Sequence, residues 1–288
     1  MKGARWGVEC DTDVLRDVLV GSPENYYWLP TSSVAKYSLS KGISFDRNLA
    51  LRQHEDFCIT LERAGARVFL APPRDDLPDI PFTRDTTFMT PWGLLGLKMH
   101  VPERQPEVDH ILSFAQSLDI PFLGRVSGGA VEGGDLCLLR RDLLVIGCSG
   151  ERTTRQGAAD VEALFRSRGF DVWTYTFESF FLHLDTFFGL ISEDAALVCV
   201  DIVEDEFTDF LIRLGIRIIP VSYKEMRNLG ANILSLGGGR VLSSTRNARV
   251  NEAMREIGVD VFEADISSFT LGGGGIHCLT MPLSRGPA

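Results

Sequence analysis

The order of apolar segments along this 288-residue chain predicts an α/β fold of five strand-strand-helix-strand modules closed into a ring. Three observations carry that reading. The same segment order returns with a period of roughly 45 to 50 residues, as in architectures whose units bury their apolar faces against neighbours. Glycine follows most of the helical segments, at Gly65, Gly169, Gly215 and Gly258. Each helix is accompanied by more than one strand, whereas a doubly wound sheet alternates strands and helices singly. In a ring, loops from every module converge on one axis, so polar residues at matching places would meet.

Residues 9–20 end in an apolar strand, and Gly21-Ser22-Pro23-Glu24-Asn25 leads into a loop carrying Tyr26, Tyr27 and Trp28. Aromatic side chains in such a loop either form a lid or pack beneath the loop. Over 45–64, Leu49, Leu51, Phe57, Ile59 and Leu61 fall mainly at helical spacing, and Gly65 supplies the stop. A strand at 67–70 follows. The second module has strands at 86–90 and 93–97, a helix at 106–118 and a strand at 120–123. The third has strands at 136–139 and 143–146, a helix at 155–168 and a strand at 171–175. The fourth runs through 186–190, 195–200, a helix at 205–214 and 216–221. The last has strands at 233–236 and 241–243, a helix at 248–257 and a strand at 259–262.

With 44% hydrophobic and 24% charged residues, the chain has the material for a sizeable core. One large domain over 1–288 is the expectation. The formal net charge of −10 argues against non-specific nucleic-acid binding and suits a cationic substrate. No run reaches the roughly 18 apolar residues of a membrane span, and the start, Met1-Lys2-Gly3-Ala4-Arg5-Trp6, lacks the apolar core of a signal peptide, so a cytoplasmic location is expected. Cys10, Cys58, Cys137, Cys148, Cys199 and Cys278 form no CxxC pairs and read as reduced residues, with neither disulfide framework nor zinc site.

Near the C-terminus, Gly272-Gly273-Gly274-Gly275-Ile276-His277-Cys278 has no helical or strand rationale. Four glycines cost backbone entropy, and they are expected where a ligand or another part of the chain comes close. That makes Cys278 a candidate nucleophile; the alternative is a glycine-rich surface loop before a final buried strand at 277–283, with Cys278 as a small hydrophobe. Three further stretches put charged groups beside strands at module junctions: Phe82-Thr83-Arg84-Asp85, Glu132-Gly133-Gly134-Asp135 and His183-Leu184-Asp185. A nucleophilic cysteine needs a proton partner, and strand alternation would put His183 and Asp185 on one face, where the carboxylate holds the imidazole. The bland readings are a structural histidine, a hairpin turn with solvated acids, and an Asp85 that pairs with Arg84. Gathered together, these carboxylates repel one another, and a planar guanidinium with five donors would relieve that repulsion.

With these stretches in this order, the sequence resembles the guanidine-modifying superfamily of arginine deiminases, dimethylargininases, agmatine deiminases and amidinotransferases. The resemblance runs from Asp13-Val14-Leu15-Arg16 to Cys278-Leu279-Thr280-Met281-Pro282. It implies a fivefold pseudosymmetric α/β propeller of ββαβ modules, the pentein fold. It implies Cys278 as nucleophile, His183 as general acid and base, and Glu132 as the carboxylate that partners the histidine and contacts the guanidinium. Asp85 and Asp185 resemble the acids that grip guanidinium nitrogens, Asp135 a support of the same turn, and Arg152 the arginine that binds the substrate carboxylate. Asn25 enters as a substrate-side candidate through the loop 25–28, expected to close over the site. No metal and no organic cofactor are implied.

The chemistry expected is hydrolysis of a guanidinium C–N bond through a covalent amidino-cysteine, with arginine or an N-methylated arginine giving citrulline. The alternatives are an amidinotransferase that passes the amidino group to an amine, and a non-catalytic protein of the same fold. The compact length is closer to dimethylargininases, while His183-Leu184-Asp185 and Thr280-Met281-Pro282-Leu283 lean toward deiminases. The expected partner is a small guanidino substrate, with neither nucleic acid nor membrane; a homodimer is left open.

Overall fold

Five three-stranded sheets surround one axis in the computed structural model, which describes residues 5–30 and 32–287. Residues 1–4, weighed above as a leader, lie outside the described residues. The first sheet uses β1 (Val14–Gly21) and β2 (Arg67–Ala71), with α1 (Ser33–Ser40) and α2 (Arg47–Arg63) between them. The second is β3 (Thr87–Thr90), β4 (Gly93–Gly96) and β5 (Phe122–Arg125), with α3 (Gln105–Ser117). The third is β6 (Leu136–Arg140), β7 (Leu143–Cys148) and β8 (Asp171–Thr176), with α4 (Arg155–Arg166). The fourth is β9 (Phe188–Ser192), β10 (Ala195–Val198) and β11 (Arg217–Pro220), with α5 (Asp205–Arg213), followed by the short α6 (Tyr223–Met226). The fifth is β12 (Leu234–Gly237), β13 (Arg240–Ser244) and β14 (Asp260–Ala264), with α7 (Ala248–Glu256) and then α8 (Ser267–Thr270). This is the fivefold pseudosymmetric α/β propeller.

The ring closes through β15 (Met281–Gly286), which pairs antiparallel with β1 and completes the first sheet in the order β15-β1-β2. Val18 faces Pro282 and Leu19 faces Met281 in that ladder. Pro282 lacks an N–H, and it is tolerated because β15 is an edge strand. In every sheet the middle strand runs antiparallel to the inner strand and parallel to the outer one, the parallel step being made by a helical crossover.

Burial follows that layout. The inner and middle strands β3, β4 and β10 are buried along their whole length, whereas β2, β5 and β11 alternate toward solvent. Apolar packing falls into three clusters around the ring, between sheets and helices. Polar groups take the positions just before the inner strands: Thr83, Arg84, Asp85, Glu132, Asp135, His183, Asp185 and Asn232 are all buried. The helices start and stop where local chemistry requires. Asp46 accepts the Leu49 amide at 3.0 Å and Thr154 the Gly157 amide at 3.1 Å, while Gly65 (φ +91°) and Gly258 (φ +87°) take the left-handed turn after α2 and α7.

Most element boundaries expected from the sequence hold to within two residues, with instructive exceptions. The last strand is Met281–Gly286, not 277–283, so Cys278 sits in a turn ahead of it. The strand expected at 186–190 is shifted by two residues, to Phe188–Ser192, because Leu184–Thr186 forms a 3-10 turn, and so stays within that margin. The helices α1, α6 and α8 are additions the periodicity did not register, each being eight residues or fewer. All six cysteines carry free thiols. Among the described residues, no helix is long and apolar enough to cross a membrane.

Candidate active site

Each inner strand is preceded by a short turn, and these turns carry the site. Thr83–Asp85 precedes β3, Gly133–Asp135 precedes β6, Leu184–Thr186 precedes β9, and the glycine loop with Cys278 precedes β15. Cys278, His183, Asp85 and Arg152 line one small cavity, together with Asp79, Phe82, Arg104, Leu182 and the loop Gly272–Gly274.

The four glycines have a direct steric reason. A Cβ on Gly272 would strike Tyr26, on Gly273 Ser32, on Gly274 the ring of Phe82, and on Gly275 Asn232. The loop is further anchored by Ser38 Oγ donating to the Leu271 carbonyl at 2.8 Å and by Trp28 Nε1 donating to the Ser268 carbonyl at 2.7 Å. Tyr26 stacks on Phe269 with ring centroids 5.0 Å apart. Of the two roles open to the aromatic loop, Tyr26 and Trp28 take packing beneath the glycines, and only Tyr27 is exposed.

His183 is buried and donates from Nε2 to Glu132 Oε2 at 2.7 Å, and its Nδ1 lies 3.8 Å from Asp85 Oδ1. Burial disfavours an imidazolium, but Asp85, the Glu132 hydrogen bond and Asp135 outweigh it and hold His183 well above the usual histidine range. Glu132 also accepts the His100 amide at 3.0 Å and lies 3.2 Å from Arg152 Nη1. Burial would raise its pKa, yet the His183 hydrogen bond and charge, then Arg152, carry it below the ordinary range. A Cβ on Gly134 would crowd the His183 ring, which accounts for the second glycine of that turn.

Cys278 Sγ is 3.3 Å from Asn232 Nδ2 and 3.8 Å from Asp185 Oδ2. Burial, then Asp185 and Asp85, push its pKa well above the ordinary thiol range, so the group is a neutral thiol. Asp185 does not hold His183. Its Oδ2 takes His277 Nδ1–H at 2.8 Å, and it lines a neighbouring axial cavity with Asp11, His277 and Arg285. Strand alternation failed to anticipate this because Leu182 turns through φ +66°, His183 alone is extended, and Asp185 already lies in the 3-10 turn.

Other expected residues are also placed differently. Asp135 is fully buried and does not line the cavity; its Oδ1 accepts the Leu184 amide at 2.8 Å and so fixes the segment bearing His183. Asn25 does not line the cavity; its Nδ2 donates to Asp75 Oδ1 at 2.9 Å on the surface. Asp85 pairs with Arg104 at 2.8 Å, not with Arg84. Arg104 in turn meets Glu107 at 2.8 Å and Asp79 at 3.9 Å, all of them buried. Arg104 and Arg152 thus supply part of the positive charge that the cluster of acids demanded. Asp85, Glu132 and His183 bring ligand-type atoms within 4.8 Å of one another, but a cation there would have to displace these internal partners.

A model of the family described as N,N dimethylarginine dimethylhydrolase, eukaryotic, matches residues 32–285. The chain belongs to that family. It is 32% identical over 234 residues to YkgA, an uncharacterised protein of Bacillus subtilis (strain 168), covering 81% of this chain and 80% of that one. To the arginine deiminase of Listeria monocytogenes serotype 4a it is 28% identical over 258 residues, covering 73% of this chain but only 62% of the relative. Its fold is similar to that of the dimethylarginine dimethylaminohydrolase from Pseudomonas aeruginosa complexed with citrulline, with a TM-score of 0.79, 23% identity and coverage of 93% and 99%. It is also similar to the product-bound N-terminal domain of ArgZ, an arginine dihydrolase from Cyanobacteria, with a TM-score of 0.81, 20% identity and coverage of 95% and 98%. Family membership makes this chain a guanidino hydrolase of the pentein type, a cysteine-dependent enzyme.

In this dimethylarginine dimethylhydrolase-family chain, sequence reasoning missed Asp79, Arg104 and Asn232. Arg104 follows Pro102-Glu103 just before α3, and nothing in its neighbours distinguishes it from a solvated arginine. Asn232 had a usable signal: it precedes β12 as Asp85 precedes β3 and Cys278 precedes β15.

Proposed function

We propose that the protein hydrolyses the guanidinium group of free arginine to give citrulline and ammonia, with Cys278 as nucleophile and His183 as general acid and base. The observation that carries this reading is the one small cavity that Cys278, the charged His183, Asp85, Arg104 and Arg152 line together. Asp85 Oδ1 is a buried acceptor with no hydrogen-bond partner among the described residues, and a guanidinium N–H would satisfy it. Arg152 and Arg104, with Asp79 beside them, suit the α-carboxylate and α-ammonium of an amino acid.

Each residue then has a step. Arrival of a cation offsets the charges of Asp85 and Asp185 that hold Cys278 as a thiol, and the sulfur releases its proton to solvent water, since His183 is already charged. The thiolate attacks the guanidinium carbon, and the C–S bond forms as a C–N π pair moves onto nitrogen. His183 gives its proton to the departing nitrogen, the C–N bond breaks, and ammonia leaves. The neutral imidazole, oriented by Glu132, takes a proton from water, whose oxygen attacks the amidino carbon. Collapse of that adduct breaks the C–S bond, the hydroxyl proton passes to the departing sulfur to restore the thiol, and a ureido group remains. The acids act mainly by positioning a charge that changes little along the path.

Arginine is favoured over its N,N-dimethylated form by Asp185, whose Oδ2 lies 3.8 Å from the sulfur. A nitrogen bearing two methyl groups has no N–H for that carboxylate and would desolvate it. The test is turnover of arginine, asymmetric dimethylarginine and agmatine, with ammonia, dimethylamine and citrulline measured separately and an amine acceptor added in parallel. Citrulline and ammonia from arginine, with a higher kcat/KM than for the dimethylated substrate, is the expected result. Dimethylamine as the faster product overturns the substrate assignment. Transfer to the amine makes the enzyme an amidinotransferase.

A further inference from the structure

Four of the five turns that meet on the axis carry groups already assigned. The fifth, ahead of β12, carries Asn232, which is 2% exposed and belongs to no motif recognised in the sequence. Its side chain makes five contacts with the neighbouring turns, one of them Oδ1 accepting from the Cys278 thiol at 3.6 Å. Nδ2 donates to Cys278 Sγ at 3.3 Å and to the Asp185 carbonyl at 3.0 Å. Oδ1 accepts the His277 amide at 2.9 Å and the Cys278 amide at 3.4 Å. The amide orientation is fixed by this set, since exchanging N and O would point NH2 at two backbone N–H groups. Gly275 is required for the approach, because a Cβ there would overlap the carboxamide.

We propose that Asn232 is a further catalytic residue, which donates a hydrogen bond from Nδ2 to the Cys278 thiolate while Oδ1 locks the turn that carries it. The inference rests on Cys278 being the nucleophile, as proposed above. The charged and titratable groups around the sulfur are Asp185 and His183 from the turn before β9, Asp85 and Arg84 from the turn before β3, and His277 from its own loop. Asp185 and Asp85 both oppose a negative sulfur, and the Asn232 side chain opposes them. Asparagine suits the position because one planar group must both donate to an anion and accept from backbone amides. Aspartate has the same shape and keeps the acceptor but replaces the donor with a second negative charge beside the thiolate.

The test is the pH dependence of Cys278 alkylation by iodoacetamide, followed by intact and peptide mass, in wild type, Asn232→Asp, Asn232→Ala and Asn232→Ser. The midpoint is expected to rise by about one pH unit or more in the Asp and Ala variants, and by less in the Ser variant, which keeps a hydroxyl donor. With arginine, kcat is expected to fall on the order of 10- to 100-fold while KM changes little. Thermal unfolding of each variant separates loss of the fold from loss of the donor. An unchanged alkylation midpoint in a folded Asp or Ala variant overturns the proposal. Because alkylation needs no substrate, that outcome is distinct from failure of the arginine assignment, which appears as absence of turnover in wild type.

Discussion

Nε2 of His183 and Oε2 of Glu132 lie 2.7 Å apart in a pair buried on both sides. The two residues come from different modules, 51 positions apart in sequence. Their pairing makes the resting imidazole an acid rather than a base. In the proposed mechanism, that property is what the departing nitrogen requires first.

Replacing Glu132 with Gln keeps the shape and removes the charge. The alkaline limb of the kcat/KM profile is expected to move to lower pH, and kcat to fall by about two to three orders of magnitude. The linkage sign agrees. A raised histidine pKa contributes stability that is full below its unfolded value of about 6.5 and is lost as pH rises through the folded pKa. The stability gap between wild type and Glu132→Gln, read from urea midpoints, should therefore narrow as the buffer is made more alkaline.

Arg104 neutralises Asp85, Glu107 and Asp79 in a place where water cannot. Arg104→Ala leaves these acids buried without their cation and is expected to cost about 3 to 5 kcal/mol at neutral pH. Burial raises Glu107 to about 7 even with its partner present, so the deficit should shrink as pH falls and the carboxyls take protons. Chemical denaturation of both proteins at pH 5 and pH 8 measures the difference. An equal loss at the two values would contradict the electrostatic account.

Asp135 is pushed up to about 7 by burial, against the pull of His183. It is therefore protonated in the folded state where the unfolded chain, with an aspartate near 3.9, is ionised. Because the native state binds the extra proton, this residue makes stability decline as pH rises between about 4 and 7. Asp135→Asn keeps an oxygen for the Leu184 amide and is expected to flatten that part of the curve, seen in thermal midpoints across the range.

Gly274→Ala places a methyl group against the ring of Phe82 in the closed wall of the cavity. Forced overpacking there is expected to cost about 1 to 3 kcal/mol and to lower kcat, because relief comes by moving the turn that holds Cys278. A crystal structure of the Gly274 variant with an unmoved turn would remove this explanation.

The module order and glycine stops gave the ring, because apolar periodicity reports the elements that face the clusters between sheets and helices. Cys278, His183, Glu132 and Asp85 were legible because unusual neighbours mark them: glycine runs and acids at strand starts. The partners of these residues were less legible. Asp185 was paired with His183 on the assumption of an extended backbone, and the 3-10 turn sent it to His277 instead. Arg104 acts within its own module but 19 residues from Asp85, and Asn232 acts across modules, 46 residues from Cys278, separations at which local pattern carries no information. Asn25 was assigned by its place in an aromatic loop, but Asp75 holds its side chain at the surface.

The sulfur is borne by the turn that feeds β15, and β15 is also the strand that seals the ring against β1. With Cys278 as the proposed nucleophile, assembly and competence are a single event: a chain whose second to fifth blades have folded holds its imidazole and acids in place but lacks a seated sulfur. Such a precursor is chemically silent toward guanidines until the last segment docks. The acquisition of substrate protection at Cys278 against alkylation, followed by peptide mass during refolding, would consequently report ring closure.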